Sequence, residues 1–397
     1  MRILQVSNRI PYPLNEGGTI GIYNYTRGFS EAGCEVVLMA LAPQKHPIEP
    51  EVLQRELGPF CELHTFPINT DVKPIPALLN LFSNRSYNVD RFYSTSFEQA
   101  LISLLSERTF DVIQIEGTFP ALYTSTILAH RKSARVILRQ HNVEFQIWER
   151  LARNATNPLK KWYLSLLAKR LKAFEIKHLN QYDALVPVTP DDGELFQKMG
   201  CTIPVFPSPA GIDTERWHPA KEARLQHIFH IGSLEWMPNL EAVEWFIHEI
   251  WPSVHVQHPE LHFHVAGKAM PESLKSISIP GVHMIGEVES APDFIADKAI
   301  TVVPLKSGSG IRLKILEAMS AGKIVISTTI GAQGIRYTSD SDILLADTPE
   351  QFMEVFNRLL SNQELQQKLM QNGRKLIEEE YSNQSVIKRL LDFYAAL

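Results

Sequence analysis

Lys314 and Glu317 stand three residues apart in the segment PLKSGSGIRLKILEAMSAGKIVIST, so a helix through them carries an ammonium and a carboxylate on one face. Leu313, Ile315, Leu316, Ala318 and Met319 surround the pair, which makes that helix largely buried. Ahead of it, Gly308, Ser309 and Gly310 form a loop that exposes backbone N–H groups at a helix N-terminus, where partial positive charge suits a diphosphate. A lysine in that place can neutralise a leaving diphosphate, and a carboxylate one turn on can accept both hydroxyls of a ribose. The plain alternative is a solvated Lys–Glu pair worth about 0.2–0.5 kcal/mol.

Other residues with chemical potential sit at comparable places. In RQHNVEF, His141 and Asn142 lie just past a strand over 136–139, with Glu144 behind them as a weaker candidate. Glu116 closes a strand over 112–115 and could face an acceptor; a turn capped by Thr118 is the equal alternative. Gly17 and Gly18 follow the first strand and open a helix over 19–31, a second glycine turn at a helix N-terminus.

Several chemistries are excluded. Gly322-Lys323 is followed by Ile324 and has Glu317 where a P-loop needs its first glycine. The run Gly308-Ser309-Gly310-Ile311-Arg312-Leu313 ends in leucine where a dinucleotide fingerprint needs a glycine. No GxSxG elbow is present. Asp340-Ser341-Asp342 reads as a turn. His262 and His264 share one strand face, with His255 and His258 nearby, but no cysteine or carboxylate completes a ligand set, so no metal site is expected.

These residues need rigid strands to hold them. Short runs of Ile, Val and Leu alternate with amphipathic segments, the pattern of an α/β protein with parallel sheets. Strands are expected at 3–6, 35–40, 112–115, 136–139 and 184–188, then at 228–231, 262–266, 282–285, 300–304, 324–327 and 343–345. In such sheets ligands bind beyond the carboxyl ends of the strands, where the candidates fall. The chain of 397 residues is too long for one ordinary core. A proline-rich, aperiodic stretch over 205–224 separates the two series of strands. The expected units are therefore 1–207, 208–380 and a C-terminal amphipathic segment, 381–397.

Composition narrows the class further. With 44% hydrophobic and 21% charged residues the chain is globular, and a net charge of -5 gives no reason to expect nucleic acid as partner. Cys34, Cys61 and Cys201 are far apart and lack CxxC spacing, which suits a reducing, cytoplasmic setting. The N-terminal apolar run is too short for a signal peptide core, and no run approaches the roughly 20 residues that span a bilayer. One segment, 158–179, is a basic amphipathic helix: Lys160, Lys161, Lys169, Arg170, Lys172 and Lys177 lie among Trp162, Leu166, Leu167, Leu171 and Phe174. It suits peripheral docking at an anionic membrane surface, or is an ordinary surface helix with a core face.

The segment containing Lys314 and Glu317 resembles the donor-binding signature of glycosyltransferase family 4, enzymes of the GT-B fold. GSLEWMPNLEAVEWF is similar to the opening of that family's second domain, and PAGIDTERWHP to its interdomain stretch. The resemblance implies two Rossmann-like domains whose parallel sheets face a central cleft, the donor held by the second and the acceptor mainly by the first. It implies a retaining, metal-independent sugar transfer from a nucleotide-diphosphate-sugar to a saccharide, a lipid-linked or another small acceptor, in polysaccharide or glycoconjugate synthesis. The nucleotide-sugar is a co-substrate and no cofactor is implied.

Residue by residue, Glu317 matches the final carboxylate of the family's E-x7-E motif, which holds the ribose. The first falls at Ser309, a departure that leaves the donor sugar open. Gly232 and Ser233 fall in the donor site, but the family's Arg and Lys after this strand are missing, and Arg312 and Lys314 are expected to take over the diphosphate. By the same resemblance, Gly17 and Gly18 are expected to approach the donor phosphates or the acceptor, His141 to contact the donor sugar, and Asn142 to bind substrate. The segment from Tyr381 is expected to cross back onto the first domain. A nucleotide-sugar epimerase of the same fold and a non-catalytic scaffold are the alternatives.

Overall fold

The computed structural model describes residues 1–14, 17–43, 48–71, 80–83, 85–220, 223–308 and 310–397. Two compact units emerge: residues 1–211 together with 386–397, and residues 212–385. The first is built on β1 (Arg2–Ser7), β2 (Glu35–Pro43), β3 (Glu62–Ile68), β4 (Val112–Glu116), β5 (Arg135–Gln140) and β6 (Ala184–Pro187), all parallel, in the order β3-β2-β1-β4-β5-β6. The second uses β7 (Arg224–Ile231), β8 (His262–Ala266), β9 (Val282–Gly286), β10 (Lys298–Val303), β11 (Ile324–Ser327) and β12 (Leu344–Leu345) in the order β12-β11-β10-β7-β8-β9, again parallel. Read from β9, this is the same doubly wound order, so each sheet has a switch point, at β1/β4 and at β7/β10, where the connections diverge and leave a crevice.

The central strands are apolar on both faces because helices cover both faces. Every residue of β4 and β10 is buried. The polar exceptions are informative: Gln5, Gln114, Glu116, Arg139 and Gln140 are buried in β1, β4 and β5, and His230 in β7. The strand that sequence patterning passes over is β3, an edge strand with Pro67 near its end and mixed exposure along its length.

Five helices bear on the sites. α1 (Gly17–Glu31) follows β1, α2 (Glu144–Asn154) follows β5, and α3 (Pro158–His178) packs along α2. α4 (Leu313–Ser320) follows β10 and stops cleanly. Gly322 takes φ +66, its N–H bonds the Met319 carbonyl at 3.0 Å, and the Lys323 N–H bonds that of Ala318 at 2.9 Å, the two bonds of a Schellman cap. α5 (Asn383–Ala396) carries Val386, Ile387, Leu390 and Tyr394 into a core with Ile3, Tyr25, Phe29 and Ile137 of the first unit. Each such side chain contributes about 1.5–3 kcal/mol by leaving water, and the Tyr394 hydroxyl donates to Gln114 Oε1 at 2.5 Å. Among the described residues, no helix is long and apolar enough to cross a membrane.

Candidate functional site

Each unit presents one constellation at its switch point. In the first, the end of β4 places Glu116 beside Arg139 and His141 from β5 and the turn after it. Arg139 donates to Glu116 Oε2 at 3.0 Å, and the two side chains are 1% and 0% exposed. His141 Nε2 lies 2.8 Å from the same oxygen and 2.9 Å from the Arg139 guanidinium. Gln5 donates to Glu116 Oε1 at 2.9 Å. The Arg139 guanidinium sits 3.6 Å from the centre of the Tyr25 ring, a cation–π contact from α1. Burial alone raises the Glu116 carboxyl, but Arg139 and the His141 contact outweigh it and hold the group down at about 2. Burial and the Arg139 charge push the His141 imidazole below its ordinary value, so it is neutral at pH 7.

With Nε2 committed to the Glu116–Arg139 pair, His141 Nδ1 faces α1. A Cβ added to Gly18 would lie 3.8 Å from it and 3.7 Å from the Arg9 guanidinium. Gly17, the first residue of α1, is exposed. Glu116 is wholly buried under Arg139 and His141, which favours the satisfied carboxylate over one that faces an acceptor. Asn142 is exposed and donates to Glu144 Oε1 at 3.4 Å, and burial raises the half-buried Glu144 carboxyl.

In the second unit the glycines set the shape. Gly308 and Gly310 take φ +123 and +80, conformations that favour glycine. Arg312 donates to the Gly310 carbonyl at 2.5 Å, and its guanidinium lies 5.3 Å from the centre of the Trp236 ring. At 5% exposure Arg312 braces this loop. Ser309 lies outside the described residues.

Lys314 crosses to the end of β7. Its Nζ donates to Asn239 Oδ1 at 2.8 Å and lies 3.2 Å from His230 Nε2. His230 Nδ1 is 2.9 Å from the Val302 carbonyl and donates to it, which leaves Nε2 as the acceptor for Lys314. Asn239 Nδ2 donates to the Ser233 carbonyl at 2.8 Å. A Cβ on Gly232 would fall 2.5 Å from Lys314 Nζ and 2.8 Å from Asn239 Nδ2, so any larger residue here would push these side-chain ends aside. Burial and the Arg312 charge lower the Lys314 ammonium to about 7, partly countered by Glu317. Lys314 and Glu317 therefore do not form the solvated pair.

Glu317 is half-buried, and among the described residues no group hydrogen-bonds its carboxylate. Burial raises it to about 7 against the opposing charges of Arg216 and Lys314. Arg312, which precedes α4, supplies no side-chain cap; the Ile315 N–H bonds the Arg312 carbonyl at 2.9 Å, so in the first turn it is the Leu313 and Lys314 N–H groups that can meet an anion. An open carboxylate, one turn from a restrained ammonium and an uncapped helix start, can hold a diol and a diphosphate together.

Sequence reading missed Arg139, Tyr25, His230, Asn239, Trp236 and Arg216. The signal for Arg139 and His230 was a charged or polar residue inside a run otherwise fit for a buried strand; for the others none was available in one sequence. His227, His262, His264 and His283 gather on one face of β7, β8 and β9, with His262 Nδ1 3.1 Å from His283 Nε2. Among the described residues, no group of three His, Cys, Asp or Glu side chains could hold a metal ion. Of the basic helix, Arg170 turns inward to donate to the Asn80 carbonyl at 2.9 Å, while Leu159 and Trp162 are 78% and 58% exposed beside exposed Lys160 and Lys161.

Residues 16–216 match the family model described as Glycosyltransferase Family 4, and residues 226–362 the one described as Glycosyl transferases group 1. A Klebsiella pneumoniae protein, described as an uncharacterized 44.6 kDa protein in the cps region, is 22% identical over 407 residues, covering 98% of each chain. The crystal structure of Anabaena HepE in complex with UDP-glucose is similar with a TM-score of 0.67 at 10% identity, covering 100% of each chain. Sucrose-phosphate synthase from Thermosynechococcus elongatus is similar at 0.68 and 13% identity, over 100% of this chain and 99% of its own. At these identities the structural likeness establishes the fold, GT-B.

Proposed function

The chain belongs to glycosyltransferase family 4, and from that premise we propose that this GT-B glycosyltransferase moves a sugar from a nucleotide-diphosphate-sugar to a saccharide, lipid-linked or other small acceptor, with retention and without a catalytic metal. The observation that carries this reading is the open Glu317 carboxylate, one turn beyond Lys314 on a helix with an uncapped start. Glu317 holds the ribose. The first N–H groups of α4 and the Lys314 ammonium stabilise the charge that develops on the diphosphate as the sugar leaves, work that needs no metal ion. Arg312 and Trp236 keep the glycine loop in shape for it. In the first unit, His141, with Gly18 beside it, serves the sugar and the acceptor; Glu116 and Arg139 fix the imidazole, and burial with the Arg139 charge keeps it neutral against the opposing pull of Glu116.

Support for a nucleotide-sugar donor comes from the similarity to a protein crystallised with UDP-glucose. A role in polysaccharide or glycoconjugate synthesis is favoured by the relative from a cps region. The exposed Leu159 and Trp162 beside Lys160 and Lys161 favour a lipid-linked acceptor met at the cytoplasmic face of an anionic membrane.

The test is nucleotide release from UDP-, GDP-, ADP- and dTDP-sugars, with and without EDTA and with candidate acceptors, followed by the anomeric configuration of the product by NMR. Release from one nucleotide class, unaffected by EDTA and giving a retained anomer, supports the reading. Conversion of the sugar without nucleotide release points to an epimerase, and no turnover of any donor to a scaffold.

A further inference from the structure

Glu175 projects from α3 into the turn that carries His141. It is 4% exposed. Its Oε1 accepts the Glu144 backbone N–H at 3.2 Å and its Oε2 that of Phe145 at 3.1 Å. Glu175 thus caps the first turn of α2, a task that Val143, the residue preceding the helix, cannot perform with its side chain. The Thr118 hydroxyl lies 3.0 Å from Glu175 Oε1 and 3.1 Å from Gln140 Oε1, so its single proton is shared between them.

Gln140 is the last residue of β5, and Glu144 and Phe145 are the first of α2. These contacts therefore fix both ends of the segment His141-Asn142-Val143. The clamp comes from a helix that begins beyond α2, and the Glu144 carboxylate adds to the effect of burial on Glu175.

We propose that Glu175 is a positioning residue for His141: from α3 it clamps the turn between β5 and α2 and so fixes the aim of the imidazole. Its consequence for turnover rests on the reading that His141 serves sugar transfer. A carboxylate that only stabilised the fold would change the melting temperature and nothing else. A positioning carboxylate also changes how His141 sits, and displacement of a reacting group by about 1 Å costs roughly 100-fold in rate.

The experiment compares wild type, Glu175→Gln, Glu175→Ala and Thr118→Val, each at a temperature well below its own melting point. The readouts are the His141 ring resonances by 15N NMR, amide exchange at Glu144 and Phe145, and kcat and KM for UDP release from UDP-glucose. Glu175→Ala is expected to shift the His141 resonances, release the two amides, and lower kcat about 10- to 100-fold with KM changed by less than about 2-fold. Glu175→Gln, which keeps one acceptor oxygen, recovers most of the loss. Native His141 resonances and wild-type kcat in Glu175→Ala would overturn the proposal. Should Glu175→Ala not fold, the same readouts in Glu175→Gln and Thr118→Val decide it: both are expected to shift the His141 resonances, and native resonances in both would overturn it. If wild type turns over no sugar nucleotide, the functional reading fails, while the resonance and exchange data still decide the positioning claim.

Discussion

Lys314 Nζ donates to Asn239 Oδ1 at 2.8 Å, across a glycine, Gly232, whose missing Cβ would have stood 2.5 Å from that nitrogen. A cation from α4 is thereby presented at the end of β7, where the sequence itself supplies only Gly232, Ser233 and Pro238. On the proposed function, the relationship lets a donor site lacking the family's two basic residues after this strand still offer positive charge.

Asn239→Leu and Gly232→Ala both disturb that lysine without removing it. Hydrogen bonds to charged groups contribute about 1.5–3 kcal/mol, so each substitution, and Lys314→Met with them, is expected to weaken UDP binding about 10- to 100-fold in calorimetry. Unchanged affinity in all three would show that Lys314 does not meet the diphosphate.

The ionisation of the same site makes stability depend on pH in two opposite limbs. Glu317 is raised from 4.5 to about 7 in the folded chain, so the native state holds the proton longer than the unfolded one, and this group's contribution falls as pH rises from 4.5 to 7. Lys314 is lowered from 10.5 to about 7, so its contribution rises as pH climbs from 7 to 10.5. Glu317→Gln should therefore gain in melting temperature relative to wild type between about pH 4.5 and 7. Lys314→Met should gain relative to wild type as pH falls from about 10.5 to 7. Parallel curves for wild type and variants would refute the linkage.

The buried pair Arg139–Glu116 behaves differently. Its partners are almost wholly out of water, so Glu116→Leu strands a guanidinium and is expected to cost about 3–5 kcal/mol in urea unfolding. Replacing both residues with apolar ones should recover part of that loss. Because Glu116 is lowered from 4.5 to about 2, the stability it provides is present above pH 4.5 and disappears as pH falls towards 2.

For the basic helix, exposed lysines near an anionic surface are worth about 1 kcal/mol each. Wild type should co-sediment with phosphatidylglycerol vesicles at low salt, and Lys160→Glu with Lys161→Glu should abolish this. Trp162→Ser should weaken it even at low salt, where charge attraction is intact. Equal sedimentation of all three forms, or none by wild type, would remove the membrane from the account.

Much of this arrangement is legible in the sequence. Runs such as VIQIE and AITVV, short and rich in β-branched residues, read as buried strands, and the glycines before α4 mark its start. What the sequence hides is lateral. Nothing in GSLEWMPN says that Asn239 meets a lysine 75 residues later, because that contact depends on β7 and β10 lying side by side. Likewise Glu175 looks like the lone acid of a basic helix until α3 folds along α2. The edge strand β3 escaped because its polar, half-exposed pattern and Pro67 imitate a loop. Glu116 stayed open in the sequence because a carboxylate at a strand's carboxyl end has two uses, facing a ligand or anchoring a neighbour, and only packing separates them.

The central claim is that Glu317 holds the nucleotide. The most direct measurement is the thermal shift produced by UDP, with GDP, ADP and dTDP in parallel, on wild type and on Glu317→Ala. One nucleotide at about 100 times its Kd should stabilise wild type by about 2.7 kcal/mol, and that shift should largely vanish in the variant while the melting point without ligand stays close to wild type. An equal shift in both proteins would contradict the claim.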